Sequence, residues 1–348
     1  MRRWALHLSV PLLAAALAFA AIVHAQGHAN DNPPRAECSP TITGDNLGYA
    51  GSLAIGPTGD IFVLETAAAC VIRVDVAGVG HMAVGGGRRS DACPACGVQL
   101  RRPNEVEVGQ DGTVFLLEPW NYRVLAVAPD GATRTVIGGP NSGSYLTAFT
   151  RGRDGRLYVL DSDRVLRLDP TGPVVVAGGG GGDVGSGSPA TSVRLSDVTG
   201  LAAGPGGVLY LIQERRYRVL RVDPAGTISV FAGSGVEGDT GDGGPAVKAN
   251  IVPKGLAADD AGNVYISVRF GHKIRRVDTA GNITTFAGRG VMAFGDIGDG
   301  GPAAQAGFVF PTDLAFHDGS LYILDESTRP RVRKVDKAGI ITTVAGGR

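Results

Sequence analysis

Carboxylates recur at one position of a repeated apolar run, and they are the first residues here whose spacing suggests chemistry. Four of them end the runs "DIFVLE", "TVFLLE", "RLYVLD" and "SLYILD": Glu65, Glu118, Asp161 and Asp325. Carboxylates that converge at the mouth of a central channel could hold Ca²⁺, a hard cation that binds oxygen ligands, and would indicate a metal-dependent hydrolase or lyase. Gln213 and Val268 occupy the same position in two further runs. Because they interrupt the set, we favour the alternative that each acid caps its own following turn.

The loops that follow these runs are rich in aromatic and basic residues, as in "PWNYR", "ERRYR", "RFGHK" and "STRPR". Such residues are enriched at protein interfaces, and arginine forks suit carboxylates or sugar acids. The alternative is that the last basic residue of each loop only contacts a neighbouring repeat. The candidate binding residues are Trp120, Tyr122, Arg215, Arg216, Tyr217, Arg269, Phe270, His272 and Arg329.

Four cysteines, Cys38, Cys70, Cys93 and Cys96, are candidates for two disulfides in an exported chain. Three pairings are possible, and we expect the bridges to fasten the N-terminal segment to the first repeats. The sequence "CPAC" also has the spacing of a thiol–disulfide redox pair. It lacks the strand-to-helix setting of such enzymes, so structural bridging is favoured.

These residues belong to a unit that occurs six times between residues 50 and 347. Its aromatic landmark recurs every 43 to 57 residues, at Phe62, Phe115, Tyr158, Tyr210, Tyr265 and Tyr322. Each copy has four short apolar runs separated by turns such as "DPAG" and "DKAG", which predicts four antiparallel strands and essentially no helix. The hexapeptide "GDGGPA", at 241–246 and 298–303, closes one copy and opens the next. We interpret it as a structural turn, because no phosphate-binding context follows it.

Stretches such as "GDGGPAVKANIVPKGLAADDAGNVYISVRFGHKIRRVDTAGNITTFAG" resemble NHL repeats, especially the bacterial and teneurin-type versions. The resemblance implies an all-β, six-bladed β-propeller, and repeats of this kind stack radially. The predicted blades span about 50–87, 98–139, 144–179, 198–235, 254–290 and 312–348. Because the chain contains six complete repeats, no strand from one terminus is available to complete the blade at the other terminus and close the ring.

Histidines that a zinc enzyme would require do not converge in this arrangement. Outside residues 1–25 the chain has only His28, His81, His272 and His317. Repeat position puts His81 on an outer strand and His317 on the face opposite His272. No G-x-S-x-G motif is present either. The sequence therefore favours a non-enzymatic protein, with Ca²⁺ considered only under the enzyme alternative.

The N-terminus predicts export. Arg2 and Arg3 precede an apolar run that ends in "VHA", which is typical of a signal peptide cleaved after Ala25. Residues 26–49 would then form a disulfide-tethered segment. Removing the leader leaves 31 basic and 33 acidic residues, a net charge of −2, which disfavours nucleic acid as a partner. We expect a monomeric periplasmic or extracellular module that binds a protein or glycan and has no stable membrane insertion.

Overall fold

The protein was analysed as a computed structural model. The structure describes residues 47–86, 93–294, 297–327 and 329–347. All of these residues belong to one compact unit. The predicted signal peptide and Cys38 lie outside these ranges. Within them, no helix has the length and apolar character needed to cross a membrane.

The described residues form six antiparallel sheets, each built from consecutive strands of the chain. Blades one to three comprise β1 (Ala50–Ile55), β2 (Ile61–Glu65), β3 (Cys70–Val74) and β4 (Gly80–Gly85); β5 (Glu105–Val108), β6 (Val114–Glu118), β7 (Arg123–Val127) and β8 (Thr133–Gly138); and β9 (Leu146–Arg151), β10 (Leu157–Asp161), β11 (Arg164–Asp169) and β12 (Gly172–Gly178). Blades four to six comprise β13 (Ser188–Pro189), β14 (Gly200–Ala203), β15 (Leu209–Gln213), β16 (Arg218–Val222) and β17 (Thr227–Ala232); β18 (Pro253–Ala258), β19 (Val264–Val268), β20 (Lys273–Val277) and β21 (Ile283–Ala287); and β22 (Gly301–Pro302), β23 (Phe310–His317), β24 (Ser320–Glu326), β25 (Arg331–Val335) and β26 (Ile340–Gly346). This confirms the predicted six-bladed all-β propeller of four-stranded blades.

Each blade is held to the next by an apolar cluster, because the second strands are buried on both faces. Every residue of β2, β10, β15 and β19 is buried, as expected for short continuous apolar runs. Six main clusters each combine residues of two adjacent blades. The cluster that joins blades six and one contains Leu53, Val63 and Tyr322. Apolar packing therefore closes the ring, and within the described residues no strand is exchanged between blades.

The predicted hairpin turns between third and fourth strands are present. In the turn after β3, the Gly78 N–H donates to the Asp75 carbonyl, and Asp75 Oδ1 accepts from the N–H groups of Ala77 and Val79, both at 2.9 Å. Gly78 has a φ of +82°, which glycine adopts at little cost. The recurring "Asp-x-x-Gly" pattern thus specifies a hairpin because both residues are needed to form it.

The only helices in the part of the chain that the structure describes are single 3₁₀ turns. They span Pro94–Gly97, Pro119–Asn121, Ala190–Ser192, Pro205–Gly207, Glu214–Arg216, Ala246–Lys248, Arg269–Gly271 and Ala303–Gln305. Three of them, at Pro119, Glu214 and Arg269, follow second strands directly. They therefore create the connections that hold most of the predicted binding residues.

The "GDGGPA" segments lie at the outer edge of the propeller. The Ala246 N–H donates to the Gly281 carbonyl, and the Ile283 N–H donates to the Gly244 carbonyl, at 2.8 and 3.0 Å. In blade six, β22 pairs with the outer strand β26. The second hexapeptide thus adds a short fifth strand to blade six, whereas the first makes a single bridge, Pro245 with Asn282, to blade five; both protect an exposed sheet edge.

Candidate functional site

Repeated turns build one face of the propeller, which we call the loop face: the face with the connections between second and third strands. The residues that follow the turns, Tyr122, Tyr217 and His272, have φ between +51° and +52°. This left-handed residue reverses the chain so that the middle of each turn projects outward. Trp120 and Phe270 occupy that middle position and are 67% and 65% exposed.

Six of the nine predicted binding residues are exposed to solvent: Trp120, Tyr122, Arg215, Arg216, Phe270 and Arg329. Two members, one of them exposed, contact their own region of the fold. Arg216 donates to Ser196 Oγ at 2.7 Å and pairs with Asp197, and Tyr217 donates its hydroxyl to Glu237. The nine residues occupy related positions in four different blades, so they surround the channel mouth and do not form one patch.

Aromatic and basic side chains of the loop face are in contact with one another at the junction of blades five and six. Phe270 packs edge-on against Phe310 with ring centroids 6.0 Å apart, and the Arg269 guanidinium lies 5.7 Å and 5.2 Å from these two ring centroids. The His272 ring lies 5.8 Å from that of Phe310.

The loop that joins these two blades runs alongside this cluster. A Cβ on Gly290 would lie 3.8 Å from the Gly271 carbonyl oxygen, and the loop exposes Val291, Met292 and Phe294. We call residues 269–272, 291–294 and Phe310 the blade-five rim. Large exposed apolar groups gathered around a cation are unusual on a monomer surface.

The four carboxylates proposed as metal ligands instead hold the segment that enters their own blade. Glu65 accepts from the Gly48 N–H at 2.5 Å, Asp161 from the Tyr145 N–H at 2.8 Å, and Asp325 from the Phe310 N–H at 2.8 Å. No three His, Cys, Asp or Glu side chains in the described ranges come together as a metal site. The structure does not bring these four carboxylates together.

Glu118 differs, since it also binds the turn that follows it. Its Oε1 accepts from the Arg101 N–H, and its Oε2 accepts from Asn121 Nδ2 at 3.2 Å and Arg123 Nε at 2.6 Å. Glu118 therefore caps the turn that follows it, as predicted. Glu65 and Asp325 instead bind backbone N–H groups of the segment that precedes the first strand, because the end of the second strand faces that segment. Burial raises the pKa of Asp325 to about 6, although the N–H groups of Phe310 and Val309 oppose this.

The central channel forms a cavity of about 610 Å³ lined by the innermost strands, and its lining acids differ from the carboxylates predicted at its mouth. Glu105 and Glu107 on β5 and Asp313 on β23 reach from one blade to the next. Their carboxylates accept from the N–H groups of Phe149 at 2.7 Å, Arg151 at 3.3 Å and Leu53 at 2.9 Å. The innermost strand of each sheet is an edge, so these acids satisfy N–H groups that would otherwise lack partners.

The channel shifts the pKa of its acids upward. Burial is the main cause for Glu105, whose pKa is well above its usual range, and for Glu107, whose pKa rises to about 7. The charge of Asp313 adds to both shifts. Lys254 lines the same cavity, but its Nζ lies 3.3 Å from Glu214 at the loop face. The channel interior is therefore dominated by carboxylates that favour protonation.

Buried arginines explain the aspartate of each "GDGGPA". The side chains of Arg275 and Arg333 are 0% exposed. Arg275 pairs with Asp242 at 2.6 Å and with Asp239 at 3.0 Å, and Arg333 pairs with Asp299. Each hexapeptide is thus locked to the third strand of the next blade, in agreement with the interpretation that it is structural.

One of the disulfides differs from the predicted tether. Cys93 and Cys96 are bonded to each other across the Pro94–Gly97 turn, so this bridge cannot fasten the N-terminal segment. Cys70 is also disulfide-bonded, and Cys38 lies outside the described residues. The local bond arises because the turn brings residues three positions apart to a Cα–Cα distance of 5.4 Å.

Comparisons with known proteins support the repeat assignment. Residues 146–295 match the family described as the Teneurin NHL domain. Teneurin-3 of Danio rerio is 28% identical over 263 residues, which is 70% of this chain and 8% of that protein. Teneurin-4 of Mus musculus is 31% identical over 226 residues, which is 57% of this chain and 8% of that protein. The chain thus matches only a small part of these relatives.

Solved structures share the fold at low identity. An auxiliary nutrient binding protein from Bacteroides thetaiotaomicron superposes with a TM-score of 0.61 at 17% identity, covering 86% of this chain and 70% of that one. Virginiamycin B lyase from Staphylococcus aureus superposes with a TM-score of 0.53 at 14% identity, covering 87% and 86%. Both likenesses concern the fold, and together with the repeats they confirm the predicted NHL-type propeller.

Proposed function

We propose that this chain, an NHL-repeat β-propeller, is an exported, non-enzymatic binding module that holds a protein partner against its loop face. The observation that carries the proposal is the blade-five rim, where the exposed Phe270 and the half-buried Phe310 both lie beside the Arg269 guanidinium. Aromatic residues and arginine dominate the energetics of protein interfaces. The exposed residues Met292 and Phe294 extend the same apolar surface.

The fold by itself does not decide between binding and catalysis, because propellers host both. The choice depends on the side chains of the candidate metal site. Glu65, Asp161 and Asp325 are each engaged by a backbone N–H of their own blade, which is the structural alternative to metal coordination. Export is supported by the predicted leader and by disulfide bonding, which persists in oxidising compartments.

The test compares capture of exported proteins by immobilised wild-type chain and by Phe270→Ala/Met292→Ala. We expect the double variant to retain less than a tenth of the captured partner with an unchanged melting temperature, because both side chains are exposed. Val76→Ala is the matched control, since Val76 is an exposed apolar residue in a hairpin of the opposite face. Equal loss in the control, or binding of the wild type only to glycans, would overturn the proposal.

The enzyme alternative has its own test. The exported protein is purified without chelator, and its metal content is measured before and after EDTA treatment. One bound equivalent of calcium or zinc, lost together with a fall in melting temperature, would contradict the non-enzymatic proposal. An unchanged melting temperature and absence of metal would support it.

A further inference from the structure

The Cys93–Cys96 disulfide contributes little to joining the blades. It spans three sequence positions, and the entropic effect of a disulfide grows with the length of the loop that it closes. The junction of blades one and two is already filled by an apolar cluster that includes Leu64, Val84 and Leu116. A disulfide at this position would therefore add little to the stability of the junction.

The two sulfur-bearing residues differ in access. Cys93 is partly exposed, whereas Cys96 is only 4% exposed. Cys93, and not Cys96, lines a cleft of about 580 Å³ between blades one and two. A thiolate that enters this cleft therefore meets Cys93 before Cys96, which makes Cys96 the leaving group.

The cleft has walls that suit a polypeptide. Met82, Pro94, Val108 and Pro129 form apolar surface, and the flexible methionine side chain can adapt to different neighbours. At its rim, Arg73 pairs with Asp60 at 3.3 Å. Apolar walls with a few polar groups are typical of binding clefts.

We infer that Cys93–Cys96 is a thiol–disulfide exchange site for a dithiol polypeptide that docks in this cleft. One thiolate of the substrate attacks Cys93 Sγ; the Cys93–Cys96 bond breaks, and Cys96 leaves as a thiolate. The second substrate thiolate then attacks the substrate sulfur of the mixed disulfide and releases Cys93. The substrate is oxidised to a disulfide, two electrons reduce the Cys93–Cys96 pair, and the two thiolates take up the substrate's protons. This activity is independent of partner binding at the loop face.

The first experiment titrates the full-length oxidised protein with dithiothreitol and identifies the reduced cysteines by differential alkylation and mass spectrometry. We expect Cys93 and Cys96 to be reduced at a dithiothreitol concentration at least tenfold below that needed for Cys70, with an unchanged near-ultraviolet circular dichroism spectrum. Simultaneous reduction of both bridges, or reduction only on unfolding, would overturn the inference.

The second experiment tests the direction of attack and the cleft. In Cys96→Ser, oxidised glutathione should form a mixed disulfide at Cys93 at least ten times faster than it modifies Cys96 in Cys93→Ser. Met82→Lys should slow oxidation of a synthetic Cys-x-x-Cys peptide by the disulfide at least fivefold, without changing the reaction with dithiothreitol. Faster modification of Cys96, or equal effects on peptide and dithiothreitol, would contradict the assigned site.

Discussion

Carboxylates at the outer and inner edges of the blades have different partners: arginine side chains at the outer edge and backbone N–H groups at the inner edge. At the outer edge, Asp242 and Asp299 face fully buried arginines of the third strand. At the inner edge, Glu105 and Glu107 face the backbone N–H groups of the next blade, and no cation forms an ion pair with them in the described residues. The outer edge has room for a long arginine side chain, whereas the inner edge crowds six strands around one axis.

The difference predicts opposite responses to pH. Burial would raise the pKa of Asp242, but the Thr285 hydroxyl and the Arg275 guanidinium outweigh it and hold the pKa below its usual value. Its contribution to stability is therefore present near neutral pH and lost as pH falls through that lowered pKa. The pKa of Glu107 is raised, so folding favours its protonated form and loses stability as pH rises towards about 7.

The largest expected effect comes from breaking an outer ion pair. Asp299→Ala leaves the fully buried Arg333 without its carboxylate partner, and only carbonyl oxygens such as that of Gly307, at 3.2 Å, remain nearby. Loss of one partner from a buried pair costs about 3 kcal/mol or more. The free energy of unfolding in urea measures the loss.

Asp318→Ala is the matched control for this prediction. Asp318 also forms an ion pair, with Lys337 at 3.1 Å, but its side chain is 83% exposed. Exposed pairs contribute about 1 kcal/mol or less. A loss in Asp299→Ala no larger than that in Asp318→Ala would mean that the outer lock does not stabilise the blade.

A second prediction concerns the inner edge. Glu107→Gln retains a side-chain oxygen for the Arg151 N–H and the Thr150 hydroxyl but removes the ionisable group. At pH 8 the variant should be more stable than wild type, by up to about 3 kcal/mol given the size of the shift in pKa. Near pH 4.5 the difference should vanish, because Glu107 is then largely protonated in the folded protein.

Thermal melting of both proteins between pH 4.5 and pH 8 measures this difference. Glu237→Gln provides the control, since Glu237 lies exposed in a blade-joining loop, and its curve should run parallel to that of wild type. A Glu107→Gln curve that also runs parallel to wild type would show that the channel does not shift the ionisation of Glu107.

The fold was predictable because its determinants are local and repeated. The "Asp-x-x-Gly" turns, the aromatic landmark of each second strand and the four-run pattern recur six times, and each specifies a hairpin or a buried strand without reference to distant residues. The position of "GDGGPA" was only partly accessible: its structural role was predicted, but its pairing with the outer strand of the next blade was not.

The channel acids and the buried arginines were missed because their meaning depends on contacts between blades. Glu107 contacts residues 43 and 44 positions away, and Arg333 pairs with a residue 34 positions away. One signal was available. Arg275 and Arg333 occur in the two repeats that follow a "GDGGPA" segment, whereas blade four has Leu220 at this position and Ser186 in its hexapeptide "GSGSPA". The paired change of both residues within one chain indicates direct contact.

That paired change supplies the third prediction, which has the smallest expected effect. Asp299→Ser combined with Arg333→Leu gives blade six the residues found in blade four. The double variant should lie within about 1 kcal/mol of wild type, because replacing a buried ion pair by apolar packing is often neutral. It should therefore be more stable than Asp299→Ala, although it carries one more substitution.

A double-mutant cycle that adds the single variants Asp299→Ser and Arg333→Leu isolates the coupling between Asp299 and Arg333. Arg333→Leu alone should cost less than Asp299→Ala, because Asp299 is 28% exposed and can be hydrated, whereas Arg333 is fully buried. If the double variant were as unstable as Asp299→Ala, the arrangement of blade four would not be transferable. The stability of the outer edge would then depend on the ion pair itself, and apolar packing beside the third strand could not replace it.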